Sequence, residues 1–354
     1  MTRASADPHL AGAPSPRKAS DGRAPTRPMD APASPTAATR AAAKAVVIEQ
    51  MQLDHRVVCI DTDTGLFAAS DFAQCPERYL NIGIAEHTAV SVAAGLAREG
   101  MRPVVFMFAA FAVNRAADAI KLNVAYANLP IVLIGTHAGL SAGFLGATHH
   151  CLEDLGLMRA LPNVAVVAPG DALQAAQLLR QLLAADGPSY LRLGRRASPV
   201  LPGDSRSVLG VPQVVASPAE GVDRSVTVFA CGPEQLAAAH LASEALGRDG
   251  TGVTVVNVHT LKPLFTDAVV DLLPEPSGNT QGLVVTLEEH WRSGGLGDAI
   301  ADILTAHSPR RMLRLAVPDT FCATPGDHAF QVHAAGLDAS SITARIRAGL
   351  ADAP

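Results

Sequence analysis

The stretch Asn81-Ile82-Gly83-Ile84-Ala85-Glu86-His87 sets the architecture of this 354-residue chain. A strand-like approach meets a glycine turn. Beyond it, from Ile84 to Arg98, small and apolar residues recur at helical spacing until Gly100 closes the run. The only carboxylate between Ile84 and Arg98, Glu86, stands in the first turn of an otherwise apolar helix. An acid there complements the helix dipole. The spacing alone leaves that role and a chemical one equally open.

Working outward, the same alternation repeats. Val57-Val58-Cys59-Ile60 reads as a buried strand ending at Asp61-Thr62-Asp63, Pro103 to Met107 as a second and Pro130 to Gly135 as a third. Helical patterns cover Ala112 to about Tyr126 and Leu152 to Ala160, and Asp171 caps a helix to Ala184. Val164–Val167 and Ser189–Leu193 read as further strands. Strands apolar on both faces that alternate with helices imply a parallel sheet covered on two sides. After a Pro-, Gly- and Ser-rich stretch the alternation resumes. Strands are expected at Val226–Ala230, Val253–Val258, Leu283–Leu287 and Leu313–Val317, with helices at Glu234–Leu246 and Leu296–Ala306. The fold class is therefore α/β, with two consecutive parallel-sheet domains. The expected division is a disordered tail over 1–40, a first domain over 41–198, a linker over 199–224 and a second domain over 225–354. The tail is assigned on composition: it holds almost no large apolar residue to offset the entropy of ordering.

Composition narrows the function classes. Hydrophobic residues make up 48 % of the chain, enough for a sizeable core, and aromatics only 4 %, so each Phe carries more information than usual. The net charge of −5, with no basic stripe, gives a nucleic-acid partner no electrostatic support. The 5 cysteines are scattered without Cys-x-x-Cys spacing, which favours reduced thiols and a cytoplasmic location over disulfides or zinc. No apolar run is long enough to span a membrane, and no signal-peptide pattern is expected.

Several motifs together resemble the transketolase family. They are Asn81 to Glu86 with its helix, Arg102-Pro103, Phe108 and Phe111, Arg115-Ala116, Asp118, and Val124 to Leu129. Thr136-His137-Ala138-Gly139-Leu140, Gly146-Ala147-Thr148-His149, Glu153-Asp154, Leu157-Met158-Arg159, Gly187-Pro188 and Leu191 to Arg195 follow. Glu288-Glu289-His290 and Gly294-Gly295-Leu296-Gly297 resemble the family's C-terminal domain. The likeness runs from about Ala41 to the end. It implies a pyrimidine-binding domain followed by a transketolase C-terminal domain, with thiamine diphosphate as cofactor. Glu86 matches the glutamate that hydrogen-bonds the cofactor's aminopyrimidine and activates it, the first of two catalytic candidates; His149 is the second. Phe108 and Phe111 match the aromatics lining the pyrimidine pocket, although ordinary core packing is what most Phe side chains do. Asp63 and Thr64 align, more weakly, with a cofactor-side dipeptide. His137 matches a contact to the phosphate end of the substrate, and His149 a conduit between donor sugar and cofactor. Arg195 resembles the arginine that grips the phosphate, a task suited to guanidinium. Arg196 beside it offers a substitute, and a solvated arginine pair is the plain alternative. His150 stands where the family usually has Gln and receives no role.

The departures from the family pattern lie on the substrate side. Between His137 and His149 the family often carries an acidic pair whose Asp contacts a sugar hydroxyl; in this chain Phe144 and Leu145 stand at those positions. Leu145 facing a hydroxyl leaves it unpaired, a penalty of about 1–3 kcal/mol, so an acceptor lacking that hydroxyl is expected to be tolerated or preferred. The loop after Asp63-Thr64 is shortened. The Gly-Asp-Gly segment through which the family binds diphosphate and metal is absent from the sequence. The resemblance thus implies a separate N-terminal, diphosphate-binding subunit that holds Mg²⁺ or Ca²⁺, two copies of each chain, and no metal ligand on this one. The expected activity is transfer of a two-carbon ketol unit from a ketose phosphate to an aldehyde, in a specialised biosynthetic pathway. The alternatives are a 1-deoxyxylulose-5-phosphate synthase-like subunit, a 2-oxoacid dehydrogenase β-like subunit, or a non-catalytic scaffold.

Overall fold

A computed structural model describes residues 36–201, 206–220, 222, 224–274 and 282–351. The expectation of disorder over residues 1–35 lies outside the described residues. Among the described residues regular structure is present from Thr36, ahead of the expected start at Ala41. The strands are β1 (Thr36–Ala38), β2 (Val57–Asp61), β3 (Tyr79–Asn81), β4 (Arg102–Phe108), β5 (Val132–Thr136), β6 (Ala165–Val167) and β7 (Ser189–Arg192). They continue as β8 (Ala197–Pro199), β9 (Gln213–Ala216), β10 (Arg224–Ala230), β11 (Gly252–Asn257), β12 (Thr260–Lys262), β13 (Leu283–Trp291) and β14 (Met312–Val317). The helices are α1 (Thr39–Leu53), α2 (Glu86–Arg98), α3 (Ala109–Arg115), α4 (Ala117–Ala119), α5 (Asp154–Ala160) and α6 (Ala172–Ala184). They are followed by α7 (Pro233–Arg248), α8 (Thr266–Val270), α9 (Leu296–His307), α10 (His328–Ala334) and α11 (Ala339–Ala351).

Two sheets organise the chain. The first has seven strands in the order β12-β6-β7-β5-β4-β2-β3, parallel except for β12. Its strands bury both faces: Val58, Ile60, Val105 and Met107 join one apolar cluster, while Val57, Cys59, Val104 and Phe106 join another on the far side. That is why these runs read as continuously apolar rather than alternating. The second sheet, β14-β13-β10-β11-β9, is parallel except for β9 and packs a third cluster against α7 and α11.

The expected linker is not structureless. Its residues 213–216 form β9, the antiparallel edge of the second sheet. Nor do the two domains keep wholly to their own sheets. β12 leaves the second domain and pairs with β6 at the edge of the first sheet, where Ala168 N also donates to His259 O at 2.7 Å. Asp171 caps α6 as expected, accepting from Gln174 N at 2.7 Å. In a parallel sheet the loops at the carboxyl ends of the strands gather on one edge, and on that edge β2, β4, β5 and β7 deliver the residues singled out above.

Candidate active site

Glu86 opens α2 and is 3 % exposed. The turn that delivers it is built by its sequence. Asn81 Oδ1 accepts from Gly83 N at 2.9 Å, and Gly83 takes a φ of +72°, which favours a residue without Cβ. The helix therefore starts at Glu86 rather than at Ile84, and Ile84 is left 73 % exposed. Among the described residues the buried carboxylate has one charged neighbour, Arg115 of α3, whose Nη1 lies 3.6 Å from Oε2. No side-chain hydrogen bond to it occurs among the described residues.

Around it β4 and β5 end in a cluster of rings. Phe108 and Phe111 meet edge-to-face with centroids 5.8 Å apart, and Arg115 lies over Phe111 at 3.9 Å. His137 packs on Phe108 at 4.3 Å and His149 on Phe111 at 5.3 Å. A buried carboxylate with unused acceptor capacity, beside two perpendicular phenyl rings, suits a flat heteroaromatic base with a protonated ring nitrogen.

His137 is buried and holds a left-handed φ of +56°, a conformation that costs a non-glycine residue free energy and clusters at functional sites. Its Nδ1 lies 3.2 Å from Thr136 Oγ1 and its Nε2 3.3 Å from Arg40 Nη1. Burial, then the positive charges of Arg40 and Arg195 and the neighbouring His149, push its imidazole down to about 3. His137 is therefore neutral at ordinary pH. His149 is half-buried with Nδ1 2.9 Å from Thr148 Oγ1. Arg195 is exposed, and its guanidinium lies 4.9 Å from the Phe144 ring centroid. Leu145 is also exposed, on the short turn Gly143–Leu145.

The structure thus brings Glu86, Phe108, Phe111, His137 and His149 together and sets Arg195 beside Phe144 on the same loop edge. It does not join Asp63 or Thr64 to that cluster by any hydrogen bond or ion pair among the described residues. Asp63 is exposed with a φ of +59°, and the Thr64 hydroxyl is spent on Asp61 Oδ1 at 2.6 Å. Sequence reasoning missed Arg40, which fell within the expected disordered tail. Its place is set by a long-range contact. Thr39 exchanges hydrogen bonds with the backbone of Gly194 (3.0 Å from Gly194 N, 3.3 Å to Gly194 O), which ties the start of α1 beside Arg195 and lands Arg40 on His137. Burial, and then the charge of Arg195, holds the Arg40 guanidinium below its usual value.

Residues 35–200 match the family described as transketolase, pyrimidine binding domain, and residues 219–342 match transketolase, C-terminal domain. The 6-deoxy-6-sulfo-D-fructose transketolase subunit SqwH of Clostridium sp. (strain MSTE9) is 39 % identical over 78 % of this chain and 83 % of its own length. An apulose-4-phosphate transketolase subunit of Phocaeicola vulgatus is 31 % identical over 84 % of this chain and 92 % of its own. Among solved structures, a split gene transketolase described as an inactive beta4 tetramer superposes with a TM-score of 0.76 at 34 % identity, covering 89 % of this chain and 98 % of that one.

Proposed function

The chain belongs to the transketolase family, carrying its pyrimidine-binding and C-terminal domains, and from that membership we propose that it is one subunit of a split enzyme using thiamine diphosphate. The enzyme moves a two-carbon ketol unit from an anionic ketose donor to an aldehyde. The observation that carries this reading is the buried, underused carboxylate of Glu86 beside Phe108 and Phe111, in a chain with no Gly-Asp-Gly segment. The pyrimidine half of the cofactor site lies on this chain. The diphosphate half, with its Mg²⁺ or Ca²⁺, is assigned to a partner subunit, two copies of each chain completing the assembly. Ile84, Leu122 and Tyr126 support that partner: they are exposed apolar side chains on α2's approach and on the adjacent π-helical turn Ile120–Tyr126.

When bound, thiamine diphosphate supplies the nucleophilic carbon and the electron sink for the two-carbon fragment. Glu86 holds the proton at the pyrimidine ring nitrogen, and Phe108 and Phe111 fix the ring's plane. His149, with Nδ1 anchored on Thr148, has its other nitrogen for moving a proton at a substrate hydroxyl. His137 stays neutral and acts by hydrogen bonding rather than as an acid. Arg40 and Arg195 hold the anionic end, a phosphate or, as the name of the Clostridium relative suggests, a sulfonate. Leu145, exposed at the mouth, offers no partner to a sugar hydroxyl. With the partner present, kcat/KM for an acceptor lacking the 2-hydroxyl should equal or exceed that for the 2-hydroxyaldehyde. A preference of about tenfold or more for the hydroxylated acceptor contradicts the role of Leu145. Decarboxylation of pyruvate by the same mixture would favour a synthase- or dehydrogenase-like activity instead.

A further inference from the structure

Strand β13 carries two adjacent glutamates, and side chains alternate faces along a strand. Glu288 turns into its own domain, accepting from Leu296 N at 2.6 Å and Gly297 N at 2.8 Å to cap the first turn of α9. Glu289 turns the other way, onto the first domain. One of its oxygens accepts from the backbone N–H of Leu140, inside the loop between His137 and His149, and the other lies 2.9 Å from His328 Nε2 of α10. The approach is so close that a Cβ on Gly139 would overlap the carboxylate. The strand behind it is pinned too. Arg192 donates to Glu289 O at 2.8 Å while its Nε pairs with buried Asp154 at 2.8 Å. The chain just before α10 completes the clasp, with Gly326 N donating to Gly143 O at 3.3 Å.

Resting on the transfer reaction assigned above, we propose that Glu289, held by His328, is a positioning residue that fixes the Ala138–His149 loop from the second domain. An ionised carboxylate can accept both donors at once, one on each oxygen, which no neutral side chain of that length does without changing the His328 tautomer. The loop so fixed carries His137, Phe144, Leu145 and His149. Through Glu289 the C-terminal domain reaches the catalytic edge of the first sheet.

Two variants of the full chain test this. Glu289→Met keeps the length and removes both acceptors. Gly139→Ala, in the other domain, forces the carboxylate off Leu140 and also strains the loop's own backbone, which has a φ of +66° there. Glu289→Gln is the conservative control, since its amide oxygen still accepts from Leu140 N. The first readout needs neither cofactor nor partner: hydrogen–deuterium exchange of peptides covering 138–146. Glu289→Met and Gly139→Ala should speed exchange there by about tenfold or more, leave α9 peptides unchanged, and Glu289→Gln should restore most of the protection. The second readout, with the diphosphate-domain subunit, thiamine diphosphate and magnesium, should show kcat/KM for the ketose donor reduced about tenfold, cofactor affinity unchanged, and rescue by Glu289→Gln. Unchanged exchange in the loop overturns the proposal, whatever the activity. So does a loosened loop with unaltered kcat/KM. An unsubstituted protein that transfers nothing while its loop still responds to Glu289→Met overturns the assigned reaction instead. Should Glu289→Met fail to fold, His328→Leu, which removes the partner that holds Glu289, carries the same comparison.

Discussion

Glu86 combines burial with spare acceptor capacity. Its one charged neighbour among the described residues, Arg115, is half-exposed and 3.6 Å away. Its neutral isostere should therefore fold normally and lose function. Glu86→Gln is expected to lower turnover with the partner present by about 100-fold or more while leaving the melting temperature within a few degrees. Turnover close to the unsubstituted value would favour a scaffold. Arg40 makes a second expectation. Arg40→Met removes the charge 3.3 Å from His137 Nε2, so KM for an anionic donor should rise about tenfold, and the His137 imidazole should titrate at higher pH by NMR. An unmoved titration would contradict the contact. Glu86 was singled out in the sequence because Asn81 to Glu86 and the helix after it resemble a family motif, whereas a lone acid in a first turn fits a dipole role equally well. Arg40 was not, because a single Arg among alanines and threonines carries no periodicity, and its place depends on Thr39 meeting Gly194 across 155 positions.

Elements with strong apolar runs, β2, β4, β5 and β10, fall where the sequence puts them, because burial on both faces leaves an unbroken signal. β12 and the end of β13 do not. β12 is three residues ending in Lys262, and its pairing with β6 is set by tertiary contact rather than by propensity. β13 runs on to Trp291 because Glu288, Glu289 and His290 are each satisfied by neighbours the sequence does not display. The contact of α10 with β13 carries a pH dependence. Burial opposes a charge on His328, but the Glu289 carboxylate and its hydrogen bond, then Glu234, outweigh that and the repulsion from Arg196, and lift it to about 9. The folded state then holds a proton that the unfolded chain releases near pH 6.5. The stabilisation is complete below about pH 6.5 and is lost as pH rises through about 9. Denaturant melts should show stability falling across that window by an amount on the order of 3 kcal/mol, and His328→Gln should flatten the fall. An identical slope in the variant contradicts the pair.

At the scale of the molecule, the two α/β domains, their order and the lack of a Gly-Asp-Gly segment are all readable from the sequence. The exchange of β12 between the sheets and the grip of Glu289 on the first domain's loop are not, since both are contacts between domains. Every functional role assigned above depends on a cofactor site divided between two chains, and calorimetry probes that division without needing a substrate. Thiamine diphosphate with magnesium is titrated into this chain alone, into the diphosphate-domain subunit alone, and into the mixture. A divided site gives saturable binding in the mixture only. Saturable binding by this chain alone, or none in the mixture, contradicts it.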